Sequence, residues 1–159
     1  MKLQAIYPCL WFDHQAEEAA KFYAKVFPGS KIHSIDRYTR GGMGEAGKVM
    51  YVEMTLGGCR LGMINGGPHF TLTPAVSLRI GCKNQKEIDS LWKKLVAGGE
   101  PSRCGWLTDR FGLSWQIVPD QLGTMLKSKS AAKREAVTQA FLAMSKFDLA
   151  KLQRAYDNA

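Results

Sequence analysis

The segments 15–29 and 85–99 carry one signature seventy positions apart, and this repeat constrains the fold more than any other feature of the sequence. Gln15 falls on Gln85, Glu17 on Glu87, Phe22 on Trp92, Val26 on Val96 and Gly29 on Gly99. No single identity carries much weight. Their shared order, with a strand-like run before and a glycine stop after, implies an internal duplication. In the first copy, residues 5–12 read as an aromatic and aliphatic strand in which Pro8 marks an edge or an irregularity. From 15 to 27 the residues Ala19, Phe22, Tyr23 and Val26 recur at helical spacing. Asp13 is the candidate N-cap and Pro28-Gly29 the stop. A strand over 32–38, a glycine-rich loop over 41–47, and strands over 49–56 and 60–64 follow, the last two forming a hairpin at Gly57-Gly58. Asn65-Gly66-Gly67-Pro68 signals a loop.

The second copy runs in the same order. Residues 75–82 read as a strand. Residues 85–97 read as a helix with Ile88, Leu91, Trp92 and Leu95 on its apolar stripe, ended by Gly98-Gly99. A strand-loop region through Trp106 leads to a last strand over 113–118. The expected class is α+β, with two βαβββ modules at about 3–66 and 72–120 in a domain spanning 1–126. A parallel βαβα sheet is disfavoured, because several short strands follow each helix. A helical extension over 127–159 completes the chain, with short amphipathic helices at 136–144 and 149–156.

Composition removes several function classes. The 159 residues, 45% of them hydrophobic, supply a core for one compact unit or two small fused modules. The longest apolar stretches are strand-sized, so no membrane span is expected. The start of the chain has no charged-then-apolar leader, so the expectation is a cytoplasmic protein. Cys9, Cys59, Cys82 and Cys104 lie far apart without a CxxC pair, which reads as buried or half-buried thiols in a reducing compartment. The net charge of +8 raises nucleic acid as a partner. Residues 127–159 hold seven Lys/Arg and three acids, a net +4, spread along a helical face with no aromatic–basic recognition pattern. A solvated face is the expectation, and nucleic acid is not an expected partner.

The segments "PCLWFD", "KFY", "NGGP" and "CGWLTDRFGLSWQIVP", taken together, resemble the PhnB-like family of the vicinal-oxygen-chelate superfamily, the glyoxalase and bleomycin-resistance fold. The resemblance covers nearly the whole chain, including the helical tail. It implies paired βαβββ modules around a cleft, commonly completed by a homodimer. The family's members are often named after 3-demethylubiquinone 3-methyltransferase. That activity does not carry over, because the glycines at 41–44 and 57–58 fall between short strands rather than after the first strand of a βα unit.

Metal-dependent relatives place His or Glu on the first and last strands of each module. The matching positions here are Tyr7 (Ile6 if the register slips), Ser77, Gly62 or Ile64, and Gln116; only Gln116 is even a weak ligand. No metal and no cofactor are therefore expected. His14, His33 and His69 have no ligand-like spacing, and His69 reads as a loop residue at the rim of the cleft. Cys9 shares a strand face with Tyr7 and Trp11, but a nucleophilic role would require a base or cation to activate it. The expected ligand-binding residues are Tyr7, Cys9, Trp11, Ser77, Arg79, Trp106 and Gln116. Aromatic walls with one cation and neutral polar groups suit a small aromatic or anionic molecule. Trp115 reads as core, and Asp109-Arg110-Phe111-Gly112 as a turn with its glycine at positive φ. A small-molecule binder is the leading reading. A metal-dependent lyase, isomerase or dioxygenase of the same superfamily is the alternative.

Overall fold

The computed structural model describes residues 6–159, and the chain forms two compact units, one ending at Leu72 and one running from Thr73 to Ala159. In the first unit the order is β1 (Cys9–Phe12), α1 (Ala16–Val26), β2 (Lys31–Arg37), β3 (Val49–Leu56) and β4 (Cys59–Asn65). In the second it is β5 (Ser77–Cys82), α2 (Gln85–Val96), β6 (Glu100–Pro101), β7 (Trp106–Thr108) and β8 (Ser114–Pro119), followed by α3 (Asp120–Met125), α4 (Ala131–Leu142) and α5 (Leu149–Asp157). The sheets have the same plan. One is ordered β1-β4-β3-β2 and the other β5-β8-β7-β6, and in each the first strand runs parallel to the last. The repeat read from the sequence is therefore a repeat of topology.

Strand alternation builds the first core. Leu10 and Phe12 on β1, Val52, Met54 and Leu56 on β3, and Leu61 and Met63 on β4 are buried with Ala16, Ala19, Ala20, Tyr23 and Val26 of α1. Each large side chain removed from water this way contributes roughly 1.5–3 kcal/mol. In the second unit Ile88 and Leu95 of α2 are buried, as are Leu107, Trp115 and Ile117 of the sheet. Trp115 is 1% exposed, as expected of a core residue. Its indole Nε1 donates to Asp109 Oδ2 at 2.8 Å, while Asp109 Oδ1 accepts from the Phe111 and Leu113 amides. The turn over 109–112 forms as read, with Gly112 at φ 86° and its amide bonded to the Asp109 carbonyl.

Several boundaries differ from the sequence reading. Asp13 does not cap α1. It lies too far before the first helical turn, Gln15 holds the cap position without a side-chain bond, and the Ala16 amide is satisfied by Asn65 Oδ1 at 2.9 Å. The expected strand over 5–12 is a strand from Cys9; Ala5 lies outside the described residues, and Pro8, with no N–H to give, contributes only its carbonyl, to the Gly62 amide. The tail contains a helix the sequence reading missed: α3, six residues holding Gly123, whose buried Leu122 and Met125 offer one i, i+3 pair. The helix expected over 136–144 begins earlier, at Ala131, where Ser130 Oγ accepts from the Lys133 amide. Its first turn is polar and alanine-rich, so apolar periodicity could not reveal it.

Candidate functional site

On the first sheet, the face turned away from α1 is open. The register fixes what it carries: Cys9 lies opposite Gly62 and Trp11 opposite Ile64, while on the next strand Tyr51 lies opposite Ile64 and Glu53 opposite Gly62. Tyr7, Cys9 and Trp11 thus come together on one surface, as their alternation predicts. The structure joins them to three residues that sequence reasoning missed, Tyr51, Glu53 and Arg60. Alternation in β3 sets Tyr51 and Glu53 opposite in phase to the buried Val52 and Met54, but nothing local reveals that they meet Tyr7.

These side chains form one cluster. Arg60 Nη2 pairs with Glu53 Oε1 at 2.8 Å and its Nε bonds the same oxygen at 3.0 Å, with the guanidinium 4.5 Å from the centre of the Tyr7 ring. Tyr7 lies close enough to both Glu53 and Tyr51 to act on their ionisation. Partial burial and then the nearby Tyr7 hydroxyl, with the Cys9 and Glu53 charges close by, push the Tyr51 hydroxyl up to about 12. The bond to Arg60 holds the Glu53 carboxyl below its usual range.

Gly62 has no side chain, and a Cβ there would overlap the Tyr51 hydroxyl. Among the described residues, no group of three or more His, Cys, Asp or Glu side chains gathers in a way that would hold a metal ion.

Cys9 is exposed, contrary to the expectation of a buried or half-buried thiol, because its strand lies at the sheet edge and its face is open. Partial burial nevertheless pushes its thiol up, away from the range of activated thiols. Cys59 is also exposed, at the hairpin turn; Cys104 is half-buried and Cys82 buried, the latter raised to about 11 by desolvation and by the Glu87 and Asp120 charges.

At one end of the open face lies a depression of about 960 Å³ in the first unit, lined by Trp11, Tyr38, Val49, Ile64, Asn65 and His69 among others. The NGGP loop and the glycine-rich loop form its sides. Trp11 is fixed there: its Nε1 donates to the Gly67 carbonyl at 2.8 Å, and its ring meets Phe70 edge-on at 5.0 Å between centroids. Gly66 must be glycine, since a Cβ would enter the indole. Tyr38 is held by its hydroxyl, which donates to the Asn65 carbonyl at 2.7 Å. His69 is exposed at the rim. His14, exposed, pairs with Asp13 at 3.1 Å, and His33 bonds Thr55 Oγ1 at 2.8 Å. None of the three is assembled with the others.

On the second sheet, Ser77, Arg79, Trp106 and Gln116 share the face turned away from Trp115 and Ile117. Arg79 lies opposite Gln116, which lies opposite Trp106, and Gln116 Nε2 donates to Ser77 Oγ at 2.8 Å. Of the seven residues expected to form one site, Tyr7, Cys9 and Trp11 therefore share a face of the first unit, and Ser77, Arg79, Trp106 and Gln116 a face of the second.

Residues 4–118 match the family model described as 3-demethylubiquinone-9 3-methyltransferase. Among solved structures, the PhnB protein from Bacillus cereus is 37% identical at a TM-score of 0.67, the match covering 73% of this chain and 99% of that one. A protein from Pseudomonas aeruginosa is 20% identical at a TM-score of 0.61, covering 74% and 98%. A gene product from Arabidopsis thaliana is 16% identical at 0.51, covering 74% and 99%. These last two are similar in fold alone. No protein of curated function matches the sequence.

Proposed function

We propose that this chain, which belongs to the PhnB-like, 3-demethylubiquinone-9 3-methyltransferase-named family of the vicinal-oxygen-chelate superfamily, binds a small organic molecule without a metal ion. The observation that carries this reading is the fixed Trp11 indole in a depression of about 960 Å³. Typical small-molecule sites span roughly 300–1,000 Å³ and combine apolar walls with a few polar groups. Val49 and Ile64 supply further apolar wall, and Tyr38, Asn65 and His69 supply polar atoms. An indole locked by a hydrogen bond and a glycine loses little freedom when a flat ring stacks on it, which favours binding. The metal-free part of the reading is supported by donor chemistry: Tyr7 and Gly62 stand where a coordinating site would need His or carboxylate.

Sequestration of a small compound is the activity class this reading supports, in a homodimer. The four free cysteines accord with a reducing cytoplasm. Titration with 2-naphthol, followed by thermal shift, tests the site. Saturable stabilisation of the parent, and affinity at least about tenfold weaker in Trp11→Leu, are expected. Equal affinity in both proteins would remove the site. Elemental analysis of the untagged protein tests the rest, since stoichiometric metal would overturn the metal-free reading. Sedimentation at micromolar concentration tests the dimer.

A further inference from the structure

The two open faces differ in how they treat their cations. On the first, Arg60 is neutralised by Glu53. On the second, Arg79 is exposed and makes no ion pair among the described residues. Two carboxylates share its face. Asp120 lies over Gly81, where a Cβ would overlap its Oδ1, and Glu100 lies on the opposite edge strand, β6. Neither engages the guanidinium.

Arg79, Gln116 and Trp106 stand in one row across β5, β8 and β7. Neighbouring strands lie about 4.8 Å apart, so roughly 9–10 Å separates the first backbone position from the third. Gln116 forms the floor of that span. Ser77 accepts from Gln116 Nε2 and keeps its own hydroxyl proton to give. One pair along, Ser114 is 2% exposed and its Oγ has no hydrogen-bond partner among the described residues. The face thus holds one free planar cation, spare donors and a half-exposed indole.

We infer that this row is a binding site for a flat, ring-bearing carboxylate, with Arg79 holding the carboxylate and Trp106 the ring. A guanidinium presents parallel N–H groups that match the two carboxylate oxygens, which a tetrahedral anion does not use as well. The indole supplies a broad apolar surface for the ring. The site stands on the geometry of the second unit and does not depend on the reading of the Trp11 depression.

The test titrates the full chain with benzoate, benzamide and inorganic phosphate, read by amide chemical shifts. Benzoate is expected to bind saturably and to move the amides of Arg79 and Gln116, with benzamide at least about tenfold weaker. Arg79→Gln, at an exposed position, should melt with the parent yet lose at least about tenfold in benzoate affinity. Arg79→Lys, which keeps the charge but not the fork, should fall between them. Equal benzoate binding by Arg79→Gln, or no saturable binding by the parent, would overturn the site. Phosphate binding at Arg79 more tightly than benzoate would overturn the assignment of a planar carboxylate.

Discussion

The Tyr51 hydroxyl lies directly over Gly62, two strands meeting where one has no side chain. The glycine is there for space: the Tyr51 oxygen occupies the volume a Cβ would need. The Arg60–Glu53 pair and the Tyr7 ring lie on the same face, so the missing methyl group lets Tyr51 settle beside them.

Gly62→Ala is therefore expected to destabilise the protein by about 1–3 kcal/mol through overpacking. Urea denaturation measures it. In a Tyr51→Phe background, where the oxygen is gone, the same substitution should cost less, and a double-mutant cycle reads the difference as coupling. Additive costs would mean that the two residues do not compete for the space.

Asn65 connects three elements at once. Its Oδ1 caps α1 through the Ala16 amide, its Nδ2 donates to the Val49 carbonyl, and its own carbonyl accepts from Tyr38. Asn65→Ala strands a buried amide and a carbonyl, at roughly 1–3 kcal/mol for each group left unpaired. Hydrogen exchange should accelerate first in the opening turn of α1. Unchanged exchange there would show that water or another side chain takes over the cap.

Two groups of the chain predict opposite pH limbs. The Glu53 carboxyl is held below its usual value, so its contribution is present above the unfolded value near 4.5 and is lost as pH falls through the folded value. Tyr51 is raised, so its contribution is complete below the unfolded value near 10 and is lost as pH rises toward about 12. Spectrophotometric titration should find a phenol ionising near 12 in the parent and missing from Tyr51→Phe. Stability measured against pH should lose part of its acid limb in Glu53→Gln. If the acid limb is the same in parent and variant, the Arg60 pair contributes nothing measurable, as many exposed pairs do.

Most of the secondary elements, though not α3, were legible because each depends on neighbours within a few residues. Phe22, Tyr23 and Val26 at helical spacing, Gly57-Gly58 between two alternating strands, and Gly112 closing the Asp109 turn all declare themselves locally. The repeat added what local patterns cannot, that the second half would copy the first. The open faces were legible in part for the same reason, since alternation separates Cys9 and Trp11 from Leu10 and Phe12. What stayed hidden depends on register. Asn65 caps a helix 49 residues away, so the local candidate, Asp13, was preferred. Tyr51, Glu53 and Arg60 reach Tyr7 only because β1 pairs with β4 and β4 with β3, and no periodicity encodes which residue meets which. The exposure of Cys9 and Cys59 was misread because a free cysteine is usually packed, whereas an edge strand and a turn leave these two uncovered.

The parallel pairing of β1 with β4 also sets an order in time. The β3–β4 hairpin closes across Gly57-Gly58, a short and inexpensive loop. Cys9 finds Gly62, and Leu10 finds Met63, only after everything between them exists. Of the strands in this sheet, the first in chain order is therefore expected to join last. The β5–β8 pairing repeats the same long-range, parallel closure, so the topology asks for it twice.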